Sequence, residues 1–129
     1  MASQNDVVSL ELRKRLTRVL SGDLQKLSPA KYIALGTGGQ DGDGNILPPA
    51  DTQTELRHKV GQYSVGAPVY PSDTTVQYSV VIPEGELTGA GLNEMALVAE
   101  DGTFYMMRST LAKFKEENEE FEFSIDCKL

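Results

Sequence analysis

The chain reads as α+β, mainly β: an antiparallel β-sandwich of about six strands, with an N-terminal helix and a short second helix. Three observations predict this. Over the last ten residues, Phe121, Phe123, Ile125, Cys127 and Leu129 alternate with Glu120, Glu122, Ser124, Asp126 and Lys128. One face of such a strand meets a core and the other meets water, as in antiparallel sheets. Asp101-Gly102 separates two apolar runs and is a strong hairpin signal. Apolar residues recur at helical spacing over one long stretch only, near the N-terminus. One long helix ahead of a series of strands is the pattern of a sandwich that carries a helix.

The helix is predicted over about residues 7–20, where Val8, Leu12, Leu16, Val19 and Leu20 form one apolar stripe. Asp6 is placed to act as its N-cap, and Ser21-Gly22-Asp23 to stop it. The β-rich body follows, over about residues 31–129. Lys31–Gly36 comes after Pro29, is short and apolar, and reads as a buried strand. A glycine loop runs from Gly36 to Gly44 and leads to Pro48-Pro49. Thr52 and Glu55 then have the spacing of a capping box, which predicts one or two helical turns around Gln53–His58. Further strands are predicted at Lys59–Val65, at Thr74–Ile82 (with Val76, Tyr78, Val80 and Ile82 on one face), at Leu92–Ala99, at Thr103–Arg108 and at the alternating C-terminal run. At 129 residues this is the length of one domain.

Charge narrows the function classes. The formal net charge is −7, which argues against nucleic acid as the main partner and against an anionic membrane surface. The longest apolar run is Met95–Ala99, far short of the ~20 residues that a membrane helix needs. The N-terminus lacks the basic start and apolar core of a signal peptide, so the chain is expected to fold in the cytoplasm of the cell that makes it. With Cys127 its one cysteine and His58 its one histidine, an internal disulfide and a multi-histidine metal centre are excluded within one chain.

Few residues invite chemistry. The glycine loop is neither GxGxxG nor a P-loop, because Asp41 breaks the first and no Gly-Lys-Ser/Thr follows for the second. Asp41, Asp43 and Asn45 have the D-x-D-x-N spacing of a calcium loop and are the metal candidates. Ile46 and Thr52, however, stand where that loop needs glycine and glutamate, and the reading is a surface loop with no metal and no cofactor. His58 could serve as a base only beside a nucleophile and an orienting carboxylate, and the sequence pairs it with neither. Cys127 reads as a buried structural thiol. No catalytic residue is assigned. Arg13, Lys14, Arg15 and Arg18 hold a third of the chain's twelve Lys and Arg on one helix. They are the candidate partner-binding residues, with the run Glu116, Glu117, Glu119, Glu120 and Glu122 of a neighbouring copy as one complement.

The order KYIALGTGG, then TQTEL, then VVIPEGELTGAGLNEMALVAEDGTFYMMRST resembles the N-terminal, baseplate-attachment domain of bacteriophage tail-fibre and tail-collar proteins, over roughly Leu10–Thr110. The hairpin motif Asn93, Glu94, Asp101 and Gly102 is its most specific part. Ala96 departs from the glycine usual in that family. The resemblance implies a structural component of a phage tail or contractile tail-like particle, at or near the baseplate, joining a fibre or adhesin to it. It would be made in the bacterial cytoplasm and assembled into the virion, among other tail subunits, as an oligomer for which a trimer is the natural guess. A fibre protein would continue past Leu129, which points to an attachment module alone or a small baseplate component. Asn93 and Glu94 are expected to tie the hairpin to its adjoining turn through backbone hydrogen bonds. The alternatives are a glycan-binding β-sandwich using Tyr63 and Tyr70 and, less well supported, a hydrolase using His58.

Overall fold

The computed structural model describes residues 5–129. Over these residues the fold is mainly β, with two antiparallel sheets and one helix. In chain order the elements are β1 (Asp6–Val8), α1 (Leu10–Ser21), β2 (Ala30–Gly36), β3 (Lys59–Ser64), β4 (Val69–Ser72), β5 (Thr75–Ile82), β6 (Gly91–Ala99), β7 (Phe104–Phe114) and β8 (Phe121–Lys128). The larger sheet has the order β1-β7-β6-β2-β3, and the smaller β4-β5-β8.

The C-terminal alternation holds. Phe123, Ile125 and Cys127 are buried, and they join Val80 and Ile82 of β5 in one core with Ile33, Leu35, Met95, Leu97 and Met106 of the larger sheet. β2 is buried on both faces. Ile33 and Leu35 enter that core, while Ala34 points the other way into a smaller cluster with Leu56, Ala96, Val98 and Met107. The Asp101-Gly102 signal is also met. Gly102 has φ +92°, and the Asp101 carboxylate accepts from the Thr103 amide at 3.0 Å as β6 turns into β7.

The N-terminus differs from expectation. Asp6 does not cap the helix: it lies in β1 and makes a two-point ion pair with Arg108 at 2.6 and 3.0 Å. The cap is Ser9, whose Oγ accepts from the Leu12 amide at 3.0 Å. A three-residue strand cannot be told by periodicity from the start of a helix, so the β1 pairing with β7 was not legible. The stop was: Gly22 takes the left-handed conformation at φ +85° and returns its N–H to Val19. Leu12 enters the core, and Leu16 and Leu27 pack against it.

The predicted second helix does not form. Residues 52–58 run as a loop. Leu56 is drawn into the smaller cluster, and the amides of Arg57 and His58 are taken by the Glu94 carboxylate. An isolated turn or two of helix gains too little to overcome its nucleation cost against such partners. Among the described residues there are eight strands rather than about six. Besides β1, the sequence did not reveal β4, whose Pro71 is tolerated because β4 is an edge strand. β7 runs six residues past the predicted Arg108, through a stretch whose register against β6 shifts between Leu92 and Glu94.

Phe123 is 5% exposed and its ring centroid lies 6.0 Å from that of Phe121. Phe123→Ala is expected to cost ~3–5 kcal/mol in denaturant unfolding. A loss under about 1 kcal/mol would show that this face of β8 does not carry the core.

Candidate functional site

The most specific motif residues meet the glycine loop. Where the register shifts in β6, Asn93 and Glu94 are both buried. Glu94 accepts three backbone amides: Gly38 on Oε2 at 2.8 Å, His58 on Oε2 at 2.8 Å and Arg57 on Oε1 at 3.0 Å. Asn93 Oδ1 accepts from the Gly39 amide at 2.7 Å, and its Nδ2 donates to Gln40 Oε1 at 3.2 Å. Gln40 Oε1 also accepts from the Ala112 amide at 3.0 Å, and its Nε2 donates to the Gly44 carbonyl at 2.6 Å. The expectation that Asn93 and Glu94 bind backbone is met, but their partners are the glycine loop and the entry to β3 and not the hairpin's own turn.

The glycines here are required by space. A Cβ on Gly36 would lie 2.5 Å from Glu94 Oε2, one on Gly38 2.6 Å from Arg57 Cβ, and one on Gly39 2.0 Å from the Asn93 carbonyl oxygen. The Gly-Thr-Gly-Gly run lets the loop backbone lie directly on the β6 side chains. Gln40 was missed by sequence reasoning, because its partners lie four, 53 and 72 positions away. Ala96 is fully buried in the smaller cluster.

The calcium-spaced residues serve the loop itself. Asp41 Oδ1 accepts from the amides of Asp43 and Asn45, both at 2.9 Å, and Oδ2 from the Asn45 side chain at 3.3 Å. The Asn45 amide, the largest influence, with the Asp43 amide holds the Asp41 carboxyl below its ordinary value against a counteracting desolvation. Among the described residues, no group of three His, Cys, Asp or Glu side chains is placed to hold a metal ion.

His58 lies at the entry to β3. Its Nδ1 is hydrogen-bonded to Thr37 Oγ1, and its amide is held by Glu94. Among the described residues no carboxylate bonds the His58 ring, so the geometry lacks the third member of a nucleophile–base–orienter set. Cys127 is buried, and burial pushes its thiol above the ordinary value. Tyr63 donates its hydroxyl to Glu86 at 2.9 Å, and burial, then that carboxylate, push it up to about 12. Tyr70 is exposed on β4.

The helix cations divide. Arg13 pairs with Asp51 at 2.6 Å. Arg15 pairs with Asp101 at 2.9 Å and Glu11 at 3.5 Å, and donates to Thr103 at 2.8 Å. Arg18 lies 3.7 Å from Asp23. Lys14 forms no ion pair among the described residues and lines an open groove of about 510 Å³ with Glu11, Asp51, Thr54 and Phe104. Three of the four basic residues assigned to a partner therefore meet carboxylates of their own chain, and Arg15 fastens the helix to the hairpin turn. Asp101 is held below its ordinary value chiefly by the Thr103 amide, then by the Thr103 hydroxyl and Arg15.

No protein-family model matches the chain, and no curated protein matches it in sequence.

Glu94→Ala leaves three amides without their acceptor and is expected to destabilise by roughly 3 kcal/mol or more, each orphaned buried donor costing about 1–3 kcal/mol. Glu94→Gln can keep the two bonds on one oxygen and is expected to cost less, so chemical denaturation of the pair should rank Ala well below Gln. The Asp41 and Asp101 carboxyls are lowered in the fold. Their contribution is therefore present above the ordinary carboxylate value of 3.8 and is lost as pH falls through the lowered values. Melting temperatures across acid pH should show Asp41→Asn and Asp101→Asn furthest below the parent at neutral pH, with the gap closing in acid. A gap that widens in acid would reverse the assignment.

Proposed function

We propose that the chain is a structural subunit of a phage tail or a phage-tail-like contractile particle, acting at or near the baseplate to join a fibre or adhesin to it. The observation that carries this reading is the clasp at Asn93 and Glu94. Those residues, the most specific part of the resemblance to tail-fibre attachment domains, spend their side chains on backbone amides of the glycine loop. That is the work of a scaffold. A reacting group would need its side chain free to meet substrate. In this reading the two sheets form a sandwich whose outer loops and free edges meet neighbouring subunits, and the assembly is a symmetric oligomer, with a trimer suiting a fibre junction.

The glycan-binding reading has one feature in its favour, the open groove walled by Phe104 and polar side chains. Of its two named aromatics, Tyr63 is already bound to Glu86.

Co-expression with the products of the adjacent genes tests the assembly role. A stable complex that co-purifies with a tail, baseplate or fibre subunit is the expected result. A chain that ignores every one of those products, or a glycan array with reproducible hits abolished by Phe104→Ala, would replace the assembly reading.

A further inference from the structure

Two sheet edges of this fold carry opposite, uncompensated charge. The larger sheet ends on β3 and the smaller ends on β8. A strand at a sheet edge presents a row of backbone N–H and C=O groups to any chain that can reach it. At the entry to β3 stand Arg57, His58 and Lys59, three consecutive exposed residues. The buried Glu94 carboxylate takes the backbone amides of Arg57 and His58, but among the described residues none of the three side chains forms an ion pair. Arg57 donates to the carbonyls of Leu47 and Pro48 at 3.1 and 2.9 Å, the His58 ring meets Thr37, and Lys59 Nζ donates to Gln62 Oε1 at 2.8 Å. These acceptors are neutral, so the positive charge at this edge stays unmatched, unlike that of Arg13, Arg15 and Arg18.

The entry to β8 is the mirror case. Glu116, Glu117, Glu119, Glu120 and Glu122 form no ion pair among the described residues. The cation beside them, Lys115, is 1% exposed and points its Nζ at the Glu116 carbonyl at 3.3 Å. In a parallel pairing, two β8 edges would set one glutamate run against another, and two β3 edges would set Arg57 and Lys59 against the same cations of the other copy; like charges across a strand pair are destabilising. β4, the other edge of the smaller sheet, contains Pro71, whose missing N–H spoils a ladder. β3 has no proline and no acidic residue.

We propose that the β3 edge docks in parallel against the β8 edge of a second copy of this chain, so that the glutamates of residues 116–122, at the start of β8, lie against Arg57 and Lys59, at the start of β3. The contact is heterologous: each copy offers β3 to one neighbour and β8 to another, so copies close into a ring or run on as a filament. The larger sheet of one copy continues through the smaller sheet of the next. Charge selects the partner and its direction, and the backbone ladder supplies the register. The proposal rests on these edges alone and stands apart from which particle the chain serves.

The test is light scattering coupled to size-exclusion chromatography on the full chain, in low and high salt. A mass of several copies is expected at about 0.05 M salt, falling toward one copy at about 0.5 M as the exposed charges are screened. Lys59→Glu alone and Glu122→Lys alone should each shift the chain toward monomer while keeping the parent's near-UV circular dichroism, since both side chains are exposed. Mixing the two variants should restore the larger mass, because each then meets an opposite charge on the other. A monomer at low salt overturns the proposal, whether or not the chain binds some other acidic protein. So does an oligomer that neither reversal weakens, or a mixture that stays monomeric. Any of these outcomes leaves the co-expression result to decide the particle role separately.

Discussion

The Glu94 carboxylate is the constraint on which the rest of this structure depends. It sits in the middle of β6, the most buried strand of the larger sheet, and gathers amides from Gly38 on one side and from Arg57 and His58 on the other. Those amides are the two ends of a loop that leaves β2 and returns as β3. One side chain thus sets where the loop departs and where the edge strand begins. A buried carboxylate is tolerated only when donors replace its water, and three N–H groups do that here. Gly36, Gly38 and Gly39 follow from the same demand, because at those positions no side chain fits between the loop backbone and its neighbours.

Around that anchor the polar interior is consistent. Asn93 and Gln40 extend the network to Gly39, Gly44 and Ala112, and so stitch the loop to the irregular part of β7. No buried side-chain nitrogen or oxygen among the described residues lacks a partner. Buried polar networks stabilise when every member is satisfied and destabilise when one is not. The clasp and the apolar core divide the work: Phe123, Ile125 and Leu97 hold the sheets against each other, and Glu94 fixes the path of the loop.

Legibility in the sequence followed the range of the interactions. The C-terminal alternation, the Asp101-Gly102 hairpin and the glycine end of the helix are set by neighbours a few residues away, and all three were readable. Glu94 stood out only through the hairpin motif of the resemblance, and its bonding to backbone was anticipated, though not to which backbone. The capping-box pattern at Thr52 and Glu55 misled, because a carboxylate some forty positions further on claims the amides that the helix would have used. Asp6 misled in the same way, since its partner is Arg108. The basic helix looked like a free surface until Asp51 and Asp101 were seen beside it. In each case the deciding group was remote in the chain, where local propensity carries no information.

The strand order also bears on how the chain comes to be folded during synthesis. β5 pairs along its whole length with β8, from Thr75 against Lys128 to Ile82 against Phe121, and β1 pairs with β7, Asp6 against Arg108. β1 has no partner until β7 has left the ribosome, and β5, which can pair with β4 just before it, gains its second neighbour only with β8. Translation at ~5–20 residues per second leaves the early segments waiting for seconds with apolar faces uncovered. Closing contacts so distant is slow in itself. The acidic run ahead of β8, emerging just before the strand that completes the core, places like charges beside that last edge and so discourages its pairing with other nascent copies until it is used.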